Sequence, residues 1–373
     1  MSEHAPIGVG IVGMGFMGRT HLAAWRRAEA AHRGVRVLMT CDRRRPGVDP
    51  DADLSDAEAI AAGNLDTGAG ADAELAALPP ATHVSELESV LQNDAVDVVS
   101  LCTPTDTHVD LAIAALEAGK HVLLEKPVAI RPDEIERLIA AASKRPYLIC
   151  MPAMCMRFWP GWDWLLDADR NGPQGRLRAL HLRRQGSPPD WAADFYGNPK
   201  RSGGMLHDLH VHDADIVHRL FGRPDAVTST GAADRITTLY HYRGDTTPSG
   251  LPSPETVIAE GSWALPAAAG FRMRYSALFE DGLAEWDLDR DPCLTVADAD
   301  GVRDVPASPF AGESGYDGEV RHMLAAVQAR RTAGPGATQP GVEATLDDAL
   351  AVCEMLIAEG KSLAGGKTVS LGG

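Results

Sequence analysis

A short glycine-rich turn near the start of the chain constrains the fold more than any other stretch. The apolar run Ile7 to Val12 predicts a buried strand, and Arg19 to Ala31 predicts a helix. Between them lies Gly13-Met14-Gly15-Phe16-Met17-Gly18. A strand, a tight turn and a helix in this order predict the first βα unit of a sheet that binds a dinucleotide.

Each glycine of the turn has a separate physical role. Gly13 permits the tight turn, Gly15 lets the backbone approach a pyrophosphate, and Gly18 lets the helix pack closely on the strand. The N-terminus of the helix favours the anion. The predicted cofactor site therefore includes the three glycines together with Phe16 and Met17.

The end of the next predicted strand bears on the choice of cofactor. Val35 to Thr40 predicts a strand, and Asp42 follows it closely. A carboxylate there accepts hydrogen bonds from the adenosine ribose and repels a 2′-phosphate, which favours NAD. Arg43 comes directly after and is followed by two more arginines, and an arginine at this position admits NADP. NAD is the preferred cofactor, and NADP stays open.

Helices and strands alternate through the rest of the first 150 residues, a pattern typical of a doubly wound parallel sheet. An Asp-, Ala- and Gly-rich segment at 46–80 interrupts the pattern and predicts an insertion, to which we assign no chemistry. The later predicted elements are helices Ser85–Gln92, Thr107–Ala118 and Pro132–Ser143, with strands Val96–Leu101, Tyr147–Met151 and one starting at Val122. We expect an α/β domain over 1–150.

The strand from Val122 ends in Glu125-Lys126-Pro127. Ligands of open α/β sheets bind outside the carboxyl ends of the strands. We therefore expect Lys126 to face both a cofactor and a substrate.

Taken together, these motifs resemble the family of glucose–fructose oxidoreductase, inositol dehydrogenase and MocA-like proteins. The resemblance covers nearly the whole chain. It rests on the glycine turn and on Cys102-Thr103-Pro104 with His108, Ala118 to Pro127, Arg157 to Pro160 and Gly203 to Asp213. The chain departs from the family in the insertion after Arg45 and in His210, where a small residue is common.

The resemblance implies further site residues and a second domain. Thr103, Pro104, His108 and Glu125 join Lys126 as cofactor contacts. Residues 151–373 would form an α+β domain with an open, mostly antiparallel sheet that serves substrate binding and homo-oligomer contacts, in a dimer or a tetramer. A final helix near 347–363 would pack back on the nucleotide domain. Strand-like runs agree with the sheet: Leu177–Arg184, Val257–Trp263, Phe271–Phe279 and Leu283–Leu288.

Asp208 and His212 are the remaining candidates for catalysis. If Asp208 to Leu220 is one helix, the two side chains lie one turn apart on the same face. Histidine can take a proton from an alcohol, and the carboxylate can orient the ring or the substrate. Together with Lys126, they form the predicted catalytic set.

Two more predictions concern substrate and metal. Family members place a substrate-contacting arginine where Arg157 stands, and Trp191, in a Pro-rich loop, is a candidate for stacking on a sugar ring. His207 and His210 precede His212 in a dense cluster, but side chains at these spacings fan out around a helix, so we predict no metal site.

Composition limits the partners. A net charge of −17 argues against binding of nucleic acid, and no run of apolar residues is long enough to predict a membrane helix. Six scattered cysteines without a Cys-x-x-Cys pair, and an N-terminus without a signal peptide pattern, indicate a reduced, cytoplasmic setting.

The motifs and the family resemblance together imply an NAD(P)-dependent dehydrogenase that acts on a secondary hydroxyl of a sugar, a polyol such as inositol, or a sugar derivative. Two alternatives stay open. One is a glycoside hydrolase that oxidises its substrate transiently with bound NAD, and the other is a non-catalytic nucleotide sensor.

Overall fold

Two separate β-sheets organise the part of the chain that the structure describes. The structure is a computed structural model and describes residues 5–31, 34–43, 78–189, 192–306, 314–333 and 341–372. The chain divides into an N-terminal unit, residues 1–155 with 312–347, and a second unit, residues 156–311 with 348–373. The sequence predicted a second domain over 151–373, whereas in the structure the segment 312–347 groups with the N-terminal unit.

The first sheet belongs to the N-terminal unit, and its strand pairs are all parallel within the described residues. Its strands are β1 (Ile7–Val12), β2 (Val35–Cys41), β3 (Thr82–Val84), β4 (Val98–Leu101), β5 (His121–Glu125) and β6 (Cys150–Ala153). The order is β3-β2-β1-β4-β5-β6. Every residue of β1 and β4 is buried, which explains why these strands are continuous apolar runs. The predicted Rossmann-type sheet is confirmed.

The order of the strands fixes the place where a ligand can bind. Consecutive strands run outward from β1 in one direction up to β3, and the chain then returns to β4 on the other side of β1. Because the strands are parallel, the residues that follow β1, β4 and β5 all leave the same edge of the sheet. In doubly wound sheets, the crevice at such a reversal is the usual ligand site.

The helices fall in both units and range from single turns to five turns. They are α1 (Phe16–Ala30), α2 (Leu87–Leu91), α3 (His108–Glu117), α4 (Pro132–Ser143), α5 (Trp162–Asn171), α6 (Ala193–Tyr196), α7 (Pro199–Ser202), α8 (Gly204–Asp208), α9 (Val211–Phe221), α10 (Gly315–Ala333) and α11 (Leu346–Gly365). None of the helices in the described ranges is long and apolar enough to cross a membrane.

Helix α10 completes the N-terminal unit, although it comes late in the chain. It packs against α1, where the Arg27 Nε donates to Asp317 Oδ1 at 2.6 Å, and it buries Tyr316, Glu319 and Val320. The sequence had assigned such a packing role to a final helix near 347–363. The helix of that range, α11, is part of the second unit from Asp348 onward.

The second sheet is mostly antiparallel, as predicted, and only its β7–β10 pair is parallel among the strands described. Its strands are β7 (Leu177–Gln185), β8 (Ala226–Ala232), β9 (Arg235–His241), β10 (Thr256–Ser262), β11 (Arg272–Phe279), β12 (Gly282–Asp287), β13 (Leu294–Asp298), β14 (Gly301–Val305) and β15 (Val369–Ser370). Buried and exposed residues alternate along β7 and β11, so one face of the sheet packs on a core and the other is accessible.

The core of the second unit contains a cluster of aromatic rings. Trp162 meets Tyr275 edge to face at 5.2 Å between centroids, and it meets Trp286 in the same way at 5.7 Å. The Tyr275 hydroxyl donates to the Gly161 carbonyl oxygen and the Trp286 Nε1 donates to that of Pro160. These bonds tie the start of α5 to the sheet.

Some elements differ from the prediction. The hairpin β13–β14 was not predicted, because β14 is exposed along almost its whole length and lacks an alternating apolar pattern. The insertion at 46–80 lies outside the described residues except for 78–80. Strand β3, which follows it, adds an edge to the first sheet beside β2.

Candidate functional site

The glycine turn after β1 has the geometry that its predicted roles require. Gly13 has φ +88°, and a Cβ there would lie 2.6 Å from the Cys102 carbonyl oxygen. A Cβ on Gly18 would lie 1.7 Å from the Gly13 carbonyl oxygen. Gly13 and Gly18 are therefore required by the protein's own packing. Gly15 differs, because a Cβ there would meet no atom of the described residues within 4 Å.

The open side of Gly15 coincides with the start of α1. No side chain of the described residues caps this helix, and its first turn holds no acidic residue. The amide groups of an uncapped first turn and the helix dipole attract an anion. The space and the donors together fit the pyrophosphate of a dinucleotide. Contacts of Phe16 and Met17 with the cofactor stay predictions.

Asp42 lies just beyond β2 and beside the turn. Its Oδ2 accepts a hydrogen bond of 2.7 Å from the backbone amide of Met14. The carboxylate is half-buried, whereas Arg43 is exposed. This placement next to the glycine turn suits the predicted contact with the adenosine ribose. Arg44 and Arg45 lie outside the described residues.

The loops after β4 and β5 are joined by His108, which is 1% exposed. Its Nδ1 lies 2.9 Å from the Pro127 carbonyl oxygen and its Nε2 lies 2.7 Å from that of Thr103. Burial lowers the pKa of His108, although both carbonyl groups act in the opposite direction. With both ring nitrogens facing the backbone, these contacts favour a role in holding the two loops together. Pro104, which follows Thr103, is exposed.

Lys126 follows β5 directly and is half-buried. Its backbone amide donates to the Glu125 Oε2 at 2.9 Å. The other carboxylate oxygen of Glu125 lies 2.8 Å from the Nε2 of His21, and Glu125 is 4% exposed. Glu125 therefore points into the interior of the N-terminal unit, which favours an indirect role over the predicted cofactor contact.

In the second unit, the structure corrects the helix on which Asp208 and His212 were placed. Helix α8 ends at Asp208 and α9 begins at Val211. Between them, the amide of His210 donates to the Met205 carbonyl oxygen at 3.1 Å and that of His212 to Leu209 at 3.4 Å. These spacings of five and three residues interrupt the regular ladder. The two side chains are half-buried, but they do not stand one turn apart on a single helix.

The side chain of His210, at the break between α8 and α9, is buried and paired. Its Nε2 lies 2.9 Å from Glu359 Oε2 and 3.4 Å from the Tyr240 hydroxyl. Across from it, a Cβ on Gly261 would come within 2.8 Å of the ring. Burial lowers the pKa of His210, but the charge and hydrogen bond of Glu359 raise it and prevail. His210, which stands where the family commonly has a small residue, therefore forms a buried ion pair with Glu359.

The other members of the histidine cluster have separate partners. The Nδ1 of His207 lies 3.2 Å from the Gly203 carbonyl oxygen. Asp213 is fully buried and accepts two hydrogen bonds from the guanidinium of Arg184, at 3.1 and 3.0 Å. The side chains of His207, His210 and Asp213 therefore contact different partners.

Arg157 is held in a buried ion-pair network. Its Nε and Nη2 donate to Asp215 at 2.9 and 2.6 Å, and its Nη1 donates to Asp348 at 3.1 Å. The side chain is 1% exposed. Burial lowers the pKa of Arg157, but the two carboxylates raise it by a larger amount, so the guanidinium stays charged. These contacts favour a role in folding over the predicted contact with substrate. Trp191 lies outside the described residues.

Beneath Lys126 lies a buried centre that consists of His21, Ser100, Glu125 and Glu319, of which only Glu125 was predicted from the sequence. Their exposed fractions are 0%, 0%, 4% and 0%. His21 stands three residues after Gly18, and Glu319 follows Tyr316 by the same interval. A polar residue on the buried face of a helix is a signal for such a centre, but nothing in the sequence shows that these two faces meet.

Comparisons with known proteins identify the family and agree with the fold. Residues 7–152 match the model of an oxidoreductase family with an NAD-binding Rossmann fold, and residues 166–265 match the GFO/IDH/MocA C-terminal domain. The chain belongs to the Gfo/Idh/MocA oxidoreductase family. The resemblance stated from the motifs is confirmed.

Individual relatives differ in how much they share. The scyllo-inositol 2-dehydrogenase (NAD(+)) of Bacillus subtilis is 34% identical over 152 residues, 39% of this chain and 41% of that protein. The inositol 2-dehydrogenase of Rhizobium meliloti is 27% identical over 244 residues, 62% of this chain and 71% of that protein. A solved levoglucosan dehydrogenase in complex with NADH has a TM-score of 0.73 at 20% identity, covering 98% of this chain and 99% of its own. That last likeness shows the fold.

Proposed function

We propose that this protein is an NAD(P)-dependent dehydrogenase that acts on a secondary hydroxyl of a sugar or a cyclic polyol. The observation that carries the proposal is the edge of the first sheet. There, an open glycine turn with an uncapped helix follows β1, and Lys126 follows β5. A phosphate-binding turn and a cation at one sheet edge suit a nicotinamide cofactor and an alcohol that becomes an alkoxide.

The residues have distinct proposed roles in the reaction. The glycine turn and Asp42 would hold the dinucleotide, and its nicotinamide would supply the acceptor for the hydride of the carbinol carbon. Lys126 donates a hydrogen bond to the substrate oxygen and stabilises its developing negative charge. His212 removes the hydroxyl proton as a general base, and Asp208 orients the substrate or the imidazole ring.

The names of the relatives support the substrate class. Two are inositol 2-dehydrogenases, and the solved neighbour is a levoglucosan dehydrogenase, so all three names refer to cyclic polyhydroxylated molecules. Arg157, one of two cationic candidates for the site, is already bound to two carboxylates. That arrangement favours neutral substrates over anionic ones.

A homo-oligomer stays a prediction.

The test is an absorbance assay for the reduced nicotinamide. Purified protein is mixed with NAD⁺ or NADP⁺ and with a panel of inositols, anhydrosugars, aldoses and aryl glycosides. Reduction by one alcohol supports the proposal. Aglycone release without net reduction would replace it with the transient-oxidation hydrolase, and dinucleotide binding without turnover on any compound would favour a sensor.

Two substitutions test the assigned roles. Lys126→Met and His212→Asn should each lower kcat by about 10² or more, since charge stabilisation and base catalysis contribute on that order. The matched controls are Lys144→Met and His181→Asn, at exposed positions in the same units. Near-normal turnover of both site variants on the true substrate would refute the assignment.

A further inference from the structure

The buried centre forms a continuous chain of contacts that ends at the backbone of Lys126. The Ser100 Oγ lies 2.8 Å from the His21 Nδ1, and the His21 Nε2 lies 2.8 Å from the Glu125 Oε1. The Glu125 Oε2 then accepts the Lys126 amide at 2.9 Å. Because the carboxylate can only accept, the Nε2 of His21 must carry a hydrogen.

Glu319 reaches the same centre from α10. Its Oε1 lies 3.4 Å from the His21 Nε2, and neither of its carboxyl oxygens makes a hydrogen bond within the described residues. Two ionised carboxylates beside one imidazolium, all sealed from water, would leave an uncompensated charge. The geometry therefore fits an imidazolium, one carboxylate and one neutral carboxylic acid.

The balance of burial and charge assigns the protons in the same way. Burial raises the pKa of Glu319 well above its usual value; the charge of His21 lowers it, but the charges of Glu125 and Asp317 add to the rise. Burial lowers the pKa of His21, but contacts with Cys102 and Glu125 raise it well above its usual value. Burial raises the pKa of Glu125, but the hydrogen bond and charge of His21 outweigh it, and the net direction is downward.

We propose that His21 and Glu319 are positioning residues for Lys126. They hold the Glu125 carboxylate in place by means of two protons, one on each residue. The inference rests on the proposed catalytic role of Lys126. One proton lies on the His21 ring, and the other keeps Glu319 neutral. When Glu319 is neutral, the ring stays with Glu125. If Glu319 were ionised, the ring would be shared between two carboxylates, and the Glu125–Lys126 peptide would lose its anchor.

The titratable and polar groups that interact with Glu319 itself are His21 from α1, Glu125 from β5, and Tyr316 and Asp317 from α10. Their own partners complete the surroundings of the centre, and these are Ser100 and Cys102 beside His21, Lys126 beside Glu125, and Cys155 beside Tyr316. The ligand atoms of His21, Glu125 and Glu319 lie within 4.8 Å of one another, so a divalent cation is the competing occupant of the same centre.

The first experiment compares kinetics with cofactor binding. Glu125→Gln should lower kcat by about 10-fold to 100-fold, because small misplacements of a catalytic group are costly, and should change the Kd for NADH by less than about threefold. Glu319→Leu should lower kcat, and Glu319→Gln should recover most of the loss. Glu319→Gln should also move the alkaline limb of the kcat profile to higher pH, because an amide cannot lose the proton. The control is Glu136→Gln, at an exposed position of α4.

Two results would overturn the proposal. An unchanged pH profile in Glu319→Gln would show that no proton on Glu319 affects Lys126. An equal loss of kcat and NADH affinity in Glu125→Gln would make Glu125 a cofactor contact. Metal analysis of the purified protein gives a third: one divalent ion per chain that disappears in Glu319→Gln would mean that a cation, and not two protons, occupies the centre.

A second measurement does not depend on turnover. With ¹⁵N-labelled histidine, the ring N–H signals of His21 should show a doubly protonated imidazole near neutral pH, identified by their loss in His21→Gln. A singly protonated ring at that pH would refute the proposal whether or not the protein oxidises any alcohol. A doubly protonated ring in a protein that oxidises none of the alcohols would instead place the failure in the proposed function.

Discussion

The glycine turn offers a matched pair of substitutions that separates folding from cofactor binding. Gly15→Ala adds a methyl group where no described atom lies within 4 Å, and the backbone at Gly15 has φ −68°, which alanine adopts. Gly18→Ala adds the same group 1.7 Å from the Gly13 carbonyl oxygen. We expect both variants to bind NADH more weakly, but only the second to lose much stability.

The magnitudes follow from the distances. A Cβ contact shorter than 3.0 Å is essentially never seen, so the new methyl at Gly18 must move about 1.3 Å relative to the Gly13 carbonyl. Forcing a methyl into packed structure costs about 1–3 kcal/mol, which lowers Tm by about 2–12 °C for a unit of this size. At Gly15, the loss of an N-cap glycine costs about 1 kcal/mol at most.

The assay measures Tm by circular dichroism and the Kd for NADH by calorimetry on the same preparations. We expect the Kd of Gly15→Ala to rise at least about tenfold, a loss of about 1.4 kcal/mol, because its methyl group occupies the space assigned to the pyrophosphate. Unchanged affinity in Gly15→Ala would refute that placement. A parental Tm in Gly18→Ala would refute the packing argument.

Three further predictions follow from the contacts of single residues. Asp42→Ala should raise the Kd for NADH by about tenfold and leave the Kd for NADPH unchanged or lower. An equal rise in both Kd values would exclude a contact between Asp42 and the ribose. Asp215→Asn deprives the buried Arg157 of a charged partner and should lower the free energy of unfolding, measured in urea, by about 3–5 kcal/mol. A raised KM at normal stability would instead indicate that Arg157 contacts the substrate. The Glu359 carboxylate raises the pKa of His210 in the folded protein, so protonation of His210 stabilises the fold. This contribution is fully present below about pH 6.5, the unfolded pKa, and is lost as pH rises toward the pKa of the folded state, at up to about 1.4 kcal/mol per pH unit. His210→Gln should therefore flatten the fall in unfolding free energy above about pH 6.5, and an unchanged slope would show that His210 is neutral.

The features that the sequence predicts well are those that neighbouring residues determine. Strand β1 has the predicted bounds because six consecutive residues are buried on both faces of a parallel sheet. Helix α4 also has its predicted bounds, since Pro132 at its first turn and the following acidic residues mark the start. The roles of Gly13 and Gly18 are predictable because the positive φ of the turn and the contact of the helix with the turn involve residues close in sequence.

The features that were missed depend on partners far away in the chain. The regular spacing around Asp208 predicts one helix, but the His210 pair with Glu359, a residue of α11, accompanies a break in that helix. Arg157 follows a family pattern, yet Asp215 and Asp348 neutralise it in the core. Helical periodicity shows that a face is buried without showing what it is buried against.

The late position of α10 has a consequence for how the protein is made. About 160 residues separate the end of the first part of the N-terminal unit at Cys155 from Gly315, where α10 begins. At typical rates of protein synthesis, the ribosome needs roughly 10–30 s to cross that distance. Throughout this interval, the nascent N-terminal unit contains His21 and Glu125 without Glu319 and without the helix that packs on α1. The unit therefore cannot complete its packing as translation passes its last strand, because α10 is synthesised only after the strands β7 to β14 of the second unit.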